Sequence, residues 1–388
     1  MFALSLKKIV RNIFFAISLL FRMFTKVQRN RILCASYGFT KYSCNPKYVT
    51  EYLLCNHPGE YEVYWCFKRG ISIPRLPEGI KVVRWRSLKY FYIVNSSAFI
   101  FSNFRMGKFA IYLRKRCGQK YVMTWHSSMG IKKVEKDVED YLLPQYIESA
   151  QYDSSICDLI LSGCSYRTEV IRRAFWYDGE ILEKGTPRND MLFVSQKTFK
   201  DKICKKYNLN PDMKILLYAP TFRSDYNLDC YKFDWQDVLS VLWQKHKENY
   251  CVLLRLHPNF LNRSSSNLTK YLNDSVINVT DYQDMQELLC VSDILVTDYS
   301  SSLFDFALLY RPCFIYSTDF ANYDRGTYFD LDSLPFPIAT TNEELLCNVV
   351  DFNLEEYKKV LRYFNLEIIG TYEKGEACRA LYNWMTNM

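Results

Sequence analysis

The chain has 388 residues, of which 49% are hydrophobic and 24% charged, with 13 Gly and 12 Pro; this composition excludes collagenous, low-complexity and disordered classes. At about 100–200 residues per domain, the length predicts two domains, each large enough to bury a core without disulfide staples. Net charge is +8, yet nine of the 50 bases precede the first acid, Glu51, so the rest of the chain is nearly neutral and lacks the basic working surface of a nucleic-acid binder.

In chain order, the first feature is the apolar run 13–21, set among Lys7, Lys8, Arg11, Arg22, Lys26, Arg29 and Arg31. It is shorter than the ~20 apolar residues that span a hydrocarbon core. Ile9, Ile13, Ile17, Leu20 and Phe24 recur at helical spacing, so residues 1–30 are expected to form a basic amphipathic helix in the headgroup region of an anionic leaflet. Two other readings stand beside it: a helix packed on its own domain or on a partner, and a cleaved leader. A leader needs a small-x-small cleavage site, which Phe21-Arg22-Met23-Phe24 does not supply.

From Arg31 onward, short apolar runs alternate with amphipathic stretches, the pattern of βα units around a parallel sheet. Strands are predicted at 32–36, 63–67, 81–85, 98–101, 121–125 and 159–162, Ile181 to Lys184 leads into the segment 185–190, and Asn45 with Pro46 reads as the N-cap and first position of a helix. A second series follows at 215–219, 252–256, 276–279, 294–297 and 313–316, with helices at 235–246, 285–291, 301–309, 343–352 and 377–385. The expected division is a first domain over 31–180 and a second over 181–388, with a last helix free to cross back. The 14 cysteines are scattered without a C-x-x-C pair, so neither a zinc site nor a redox motif is written, and they read as reduced cytosolic thiols.

Open α/β sheets place ligands beyond the carboxyl ends of their strands. The residues there are His126, Pro220-Thr221-Phe222-Arg223, His257-Pro258 and Asp298-Tyr299-Ser300-Ser301-Ser302. Of the four histidines, His57 reads as a turn residue and His246 as a solvated helix end, which leaves His126 and His257 as one strand-end imidazole in each half. Thr297 to Ser302 runs from a strand into a helix start lined with hydroxyls, a candidate phosphate site, although a serine there also serves as a plain cap. Arg188 and Arg223 are candidates for a pyrophosphate, because a guanidinium pairs with phosphate oxygens bidentately; a surface ion pair is the other use of such residues. No G-x-x-x-x-G-K-[ST] loop and no G-x-G-x-x-G fingerprint follows a strand, which removes the main support for a P-loop NTPase or a dinucleotide-dependent dehydrogenase.

Several segments together resemble the CDP-glycerol glycerophosphotransferases, the teichoic-acid and capsule polymerases and primases. They are Asp298-Tyr299-Ser300-Ser301 with Phe304-Asp305, Trp125-His126-Ser127, Gly185-Thr186-Pro187-Arg188-Asn189-Asp190, Leu217 to Arg223, and His257-Pro258. Tyr37-Gly38, Asn45 to Tyr48 and Tyr323 to Tyr328 with Arg325-Gly326 extend the likeness from about 35 to 380. The chain departs from the family where Trp-His-Gly-Thr-Pro-Leu-Lys is usual: it reads Trp125-His126-Ser127-Ser128-Met129-Gly130-Ile131-Lys132, on a loop expected to border the acceptor.

The resemblance implies an α/β fold of GT-B type, two Rossmann-like doubly wound domains facing a cleft, acceptor side first and nucleotide-donor side second. It implies transfer of a polyol phosphate, most simply glycerol phosphate, from a CDP-polyol to a hydroxyl of a lipid-linked saccharide or polyol-phosphate acceptor, with release of CMP. The protein would then sit peripherally on the cytoplasmic face of an anionic membrane. His126 is expected to act as general base, with His257, Thr297, Ser300 and Ser301 holding the donor phosphates. Arg188, Thr221, Arg223 and Arg325 are further donor contacts, and Asp298 and Asp305 orient His257 or bind ribose. No metal is required by this constellation, and Mg²⁺ is compatible with it. The rival readings are a GT-B glycosyltransferase using a CMP- or UDP-sugar and an inactive membrane scaffold of polysaccharide assembly.

Overall fold

Alternation of apolar runs with amphipathic stretches produces thirteen strands in the computed structural model, which describes residues 2–194, 197–221, 234–256, 275–319 and 326–387, with side chains from residue 9 onward. The chain divides into two compact units. Unit 1 comprises Met1–His126, Val134–Asp190 and Tyr372–Met388; unit 2 comprises Ser127–Lys133 and Met191–Thr371. The first unit therefore keeps residues 181–190 and takes back the C-terminal helix.

Unit 1 is built on a parallel sheet of seven strands: β1 (Gln28–Ala35), β2 (Glu62–Phe67), β3 (Ile80–Arg84), β4 (Ser97–Ser102), β5 (Lys120–Met123), β6 (Leu159–Ser162) and β7 (Glu180–Glu183), in the order β3-β2-β1-β4-β5-β6-β7. Because helices cover both faces of such a sheet, its strands are apolar on both sides rather than alternating. Ile32, Trp65, Phe67, Phe101, Val122 and Leu159 are fully buried, and Leu381 and Met385 of the helix Ala377–Thr386 complete this core. Burial of each such side chain contributes about 1.5–3 kcal/mol.

Unit 2 repeats the design with six parallel strands: β8 (Lys214–Tyr218), β9 (Tyr250–Leu254), β10 (Val276–Asn278), β11 (Ile294–Thr297), β12 (Cys313–Tyr316) and β13 (Ile338–Ala339), ordered β10-β9-β8-β11-β12-β13. Its core joins Tyr218, Val252, Val296 and Phe314 to Trp235, Val238 and Leu242 of the helix Trp235–His246. In both sheets the strand order reverses beside the first strand, between β1 and β4 and between β8 and β11, which is the point where doubly wound sheets open a crevice for ligands.

The helix Cys44–Asn56 departs from its sequence reading. Its N-cap is Ser43, without a side-chain cap bond, and Cys44 at φ 64° turns the chain into the helix. Asn45 lies inside the first turn, and its side chain is free for another use.

The first helix, Phe2–Phe24, packs on unit 1 through one face. Phe14 and Phe21 stack on Phe91 at 5.9 and 6.3 Å, and Asn95 donates to the Ser18 hydroxyl at 2.9 Å. Arg116 fastens the end of the helix, donating to the Arg22 carbonyl and the Thr25 hydroxyl. Ile9, Ile13, Leu20 and Phe24 point away, exposed by 52, 52, 53 and 80%. At 100° per residue these four fall within about 60° of arc. No described helix is long and apolar enough to cross a membrane.

Candidate active site

At the reversal point of unit 1, the ends of β1, β4 and β5 converge on His126. Its Nδ1 lies 3.1 Å from the carbonyl oxygen of Asn103, the residue after β4. A carbonyl only accepts, so Nδ1 carries the hydrogen and donates, and Nε2 keeps its lone pair. The Asn103 side chain in turn accepts from the backbone N–H of Tyr37, the second residue after β1, at 2.9 Å. The Tyr37 ring stands 6.4 Å from the imidazole on one side, and the Trp125 indole stacks on it at 4.5 Å.

Trp125 occupies left-handed backbone, φ 50°, uncommon for a bulky residue and costing of the order of 1–3 kcal/mol, so the surroundings must hold it there. They do so through its ring. Phe175 meets the indole edge-on at 4.8 Å, and the guanidinium groups of Arg105 and Arg167 lie 5.9 and 5.6 Å from it. Arg105 is itself buried between Glu135 and Asp153, a paired arrangement that compensates its desolvation.

Arg188 approaches the same histidine from the segment 185–190. Its Nη1 donates to the His126 carbonyl at 2.6 Å. The remainder of that segment is structural. Gly185 stands at φ 90°, where a Cβ would lie 2.7 Å from the Glu373 carboxylate. Glu373 accepts from the N–H and hydroxyl of Thr186 and from Asn189, while Asp190 caps the C-terminal helix through the N–H groups of Ala377 and Cys378. Burial, and then the positive charge of Arg188 and Arg167, lower the His126 pKa to about 4 against the support of the Asn103 carbonyl. The imidazole is therefore neutral near pH 7.

In unit 2 the same reversal point gathers the predicted donor residues at the ends of β8 and β11. Thr297 is fully buried and its hydroxyl donates to the Ala219 carbonyl at 2.7 Å. The Asp298 carboxylate, also buried, accepts the Thr221 N–H at 2.9 Å, tying the two strand ends together. Asp305 is buried on the helix Ser302–Ala307 and accepts from the hydroxyl of Ser128 and the amide of Gln286. Ser128 belongs to the Ser127–Lys133 stretch, which pairs by backbone with Gly326 and Tyr328 and sets Lys132 5.6 Å from the Tyr299 ring. Ser300 and Ser301 remain partly exposed at the helix start; Ser300 shares a hydrogen bond with Ser302 at 2.7 Å, and Ser301 makes no side-chain cap bond. His257, Arg223 and Arg325 lie outside the described residues. Among the described residues, no group of three or more His, Cys, Asp or Glu side chains is placed to hold a metal ion.

Asn103 and Arg167 belong to no motif of the sequence pattern, and Tyr37 and Asn45 stand out there only within the family likeness and, for Asn45, as a helix cap. Ser36-Tyr37 and Asn103 follow β1 and β4 at least as directly as His126 follows β5, and that position at a strand end is the signal that points to them.

Comparison with known proteins bears on this arrangement. The model of the CDP-Glycerol:Poly(glycerophosphate) glycerophosphotransferase family matches residues 16–387. The teichoic acid poly(glycerol phosphate) polymerase of Bacillus subtilis (strain 168) is 33% identical over 86% of this chain, and the chain spans 45% of that protein. The corresponding polymerase of Staphylococcus epidermidis is 34% identical over 81% of the chain and 44% of its own length, so the chain spans about half of these relatives. The teichoic acid glycerol-phosphate transferase of Staphylococcus aureus (strain NCTC 8325 / PS 47) is 28% identical and aligns over 97% of both chains. Among solved structures, the wall teichoic acid polymerase TagF superposes with a TM-score of 0.81 at 30% identity, covering 98% of this chain and 95% of that one, and a variant of it soaked with CDPG fits equally well. The two parallel sheets, their order of strands and the match over nearly the whole length show that the chain belongs to the CDP-glycerol:poly(glycerophosphate) glycerophosphotransferase family.

Proposed function

We propose that this protein transfers glycerol phosphate from CDP-glycerol to a hydroxyl of a lipid-linked acceptor in the synthesis of a teichoic-acid-type polymer. One observation carries the reading in the chain's own chemistry: His126, at the reversal point of the first sheet, is held neutral with Nδ1–H committed to the Asn103 carbonyl, which leaves Nε2 as a base. The acceptor oxygen attacks the phosphorus that bears glycerol, and its proton passes to Nε2. The bond from that phosphorus to the bridging oxygen breaks, and CMP leaves with the electron pair.

Unit 2 is the donor side in this reading. Ser300 and Ser301, the partly exposed hydroxyls of the helix start, and the Thr221 backbone turn meet the pyrophosphate, with His257, Arg223 and Arg325 as further contacts. The Thr297 hydroxyl donates to the Ala219 carbonyl, and Asp298 and Asp305 accept bonds from Thr221, Ser128 and Gln286, so in this reading all three shape the donor site beside any contact with the nucleotide. Arg188 is placed at the histidine, where its charge favours an anionic substrate. The outward face of the first helix, apolar and flanked by bases, attaches the protein to the cytoplasmic face of an anionic membrane, where a lipid-linked acceptor resides.

The decisive assay measures CMP release from CDP-glycerol, CDP-ribitol and CMP-sialic acid in the presence of a lipid-linked saccharide acceptor. Release dependent on both CDP-glycerol and acceptor is the expected result. Turnover of the CMP-sugar alone would replace this reading with the glycosyltransferase one, and no turnover of any donor would favour the inactive scaffold.

A further inference from the structure

We infer that Asn45 is a positioning residue of the transfer reaction, one buried carboxamide that holds both the His126 loop and the Arg188 turn in their working arrangement. The inference rests on the reading of His126 as the base.

Asn45 is wholly buried on the first turn of the helix Cys44–Asn56. Its Nδ2 donates to two consecutive carbonyls, Thr124 at 2.8 Å and Trp125 at 3.0 Å. Its Oδ1 accepts the backbone N–H of Arg188 at 2.9 Å. Both amide hydrogens and one oxygen lone pair are thus spent on segments 79 and 143 residues away, and none on capping its own helix.

The two segments it joins are the ones that aim the imidazole. The Trp125 carbonyl belongs to the peptide between the left-handed Trp125 and His126, so a bond to that oxygen fixes the orientation of the peptide from which His126 departs. Arg188, whose N–H Asn45 holds, returns to grip the His126 carbonyl. Peptides on both sides of the histidine are therefore clamped, one directly and one through Arg188. Loss of the carboxamide takes a donor from two buried carbonyls, of which that of Trp125 retains a 3.3 Å contact from the Thr124 hydroxyl, takes the acceptor from one buried N–H, and removes the restraint on an unfavourable backbone conformation. The imidazole then departs from the orientation that its Asn103 contact requires.

A double-mutant cycle separates this role from a structural one. CMP release from CDP-glycerol with a lipid-linked saccharide acceptor is measured for the full chain, for Asn45→Ala, Asn45→Asp and His126→Ala, and for each Asn45 variant combined with His126→Ala. Asn45→Asp keeps the size of the side chain and the oxygen for Arg188 while removing donor capacity toward the two carbonyls. The expected result is a fall in kcat of about tenfold or more for both single Asn45 variants, with KM for CDP-glycerol within about twofold, and no further fall in the His126→Ala background. A loss that persists at full size in that background, an unchanged kcat, or loss of folding in both Asn45 variants would overturn the inference. Wild-type turnover by His126→Ala would instead overturn the base assignment itself.

Discussion

Burial and the guanidinium groups of Arg188 and Arg167 act on the His126 imidazole in the same direction, against its protonation. A base must be neutral to accept a proton, so in the role proposed for His126 this environment is expected to move the acid limit of the transfer rather than its rate near neutrality. With the ring titrating at about 4 instead of 6.5, kcat/KM for CMP release is expected to hold from pH 7 to about 5 and to fall only as pH drops toward 4. An acid limb centred near pH 6.5 would show that the free enzyme keeps His126 in an ordinary aqueous environment. The stability linkage has a definite sign. Between about 4 and 6.5 the unfolded chain binds the proton that the folded one refuses, so this group costs no stability above that window and a growing amount as pH falls through it. His57 provides the control. Its ring stacks on Tyr382 at 3.6 Å beside the end of the helix Cys44–Asn56, remote from the strand ends, and His57→Ala is expected to leave kcat and its pH profile unchanged.

A helix start is where backbone N–H groups lack partners, yet the six residues of Ser302–Ala307 offer little dipole, so hydroxyls must supply much of any hold on a phosphate. Ser300 and Ser301 are the accessible pair. Replacing both by Ala is expected to weaken CDP-glycerol binding by about tenfold, the loss of one or two good hydrogen bonds, with kcat less affected. Calorimetry showing unchanged affinity would remove the pyrophosphate from this turn. The elements themselves were readable because a parallel sheet covered on both faces writes its strands as uninterrupted apolar runs: 294–297 and 313–316 coincide with β11 and β12, and 235–246 and 285–291 with observed helices. What escaped was written in tertiary contacts. Asn45-Pro46 has the local signature of a helix cap, but two carbonyls beyond β5 and the Arg188 N–H compete for its amide, and no local pattern announces partners so far along the chain. For Asp305, expected to orient His257 or bind ribose, the partners Ser128 and Gln286 likewise come from distant parts of the chain. Within the segment 185–190 the division of labour, Arg188 at the histidine and Thr186, Asn189 and Asp190 on the C-terminal segment, required the folded chain.

For the molecule as a whole, the excess of positive charge coincides with an exposed apolar stripe at one end of the chain. Nine bases precede the first acid, and Ile9, Ile13, Leu20 and Phe24 form an exposed apolar stripe on a helix whose opposite face is anchored by Phe14, Ser18 and Phe21. Packing on the protein and contact with a bilayer are therefore compatible uses of one helix, because they employ different faces. The anchoring also decides how membrane contact should be tested. Removing residues 1–30 would cut into β1, which begins at Gln28, and would uncover Phe91, so lost binding would be confounded with damage to unit 1. Ile13→Glu with Leu20→Glu changes only exposed positions and spares the packed face. At roughly 1 kcal/mol for each base near an anionic surface, added to burial of one narrow apolar stripe, attachment should be reversible and sensitive to salt. The paired substitution is expected to release the protein from phosphatidylglycerol-containing vesicles at low salt and to slow transfer to a lipid-linked acceptor, while the melting temperature and transfer to a soluble acceptor analogue stay near wild type. Wild-type vesicle binding by the paired variant would show that the outward face of this helix is not the membrane contact, and the exposed stripe would then have to be covered by another protein surface.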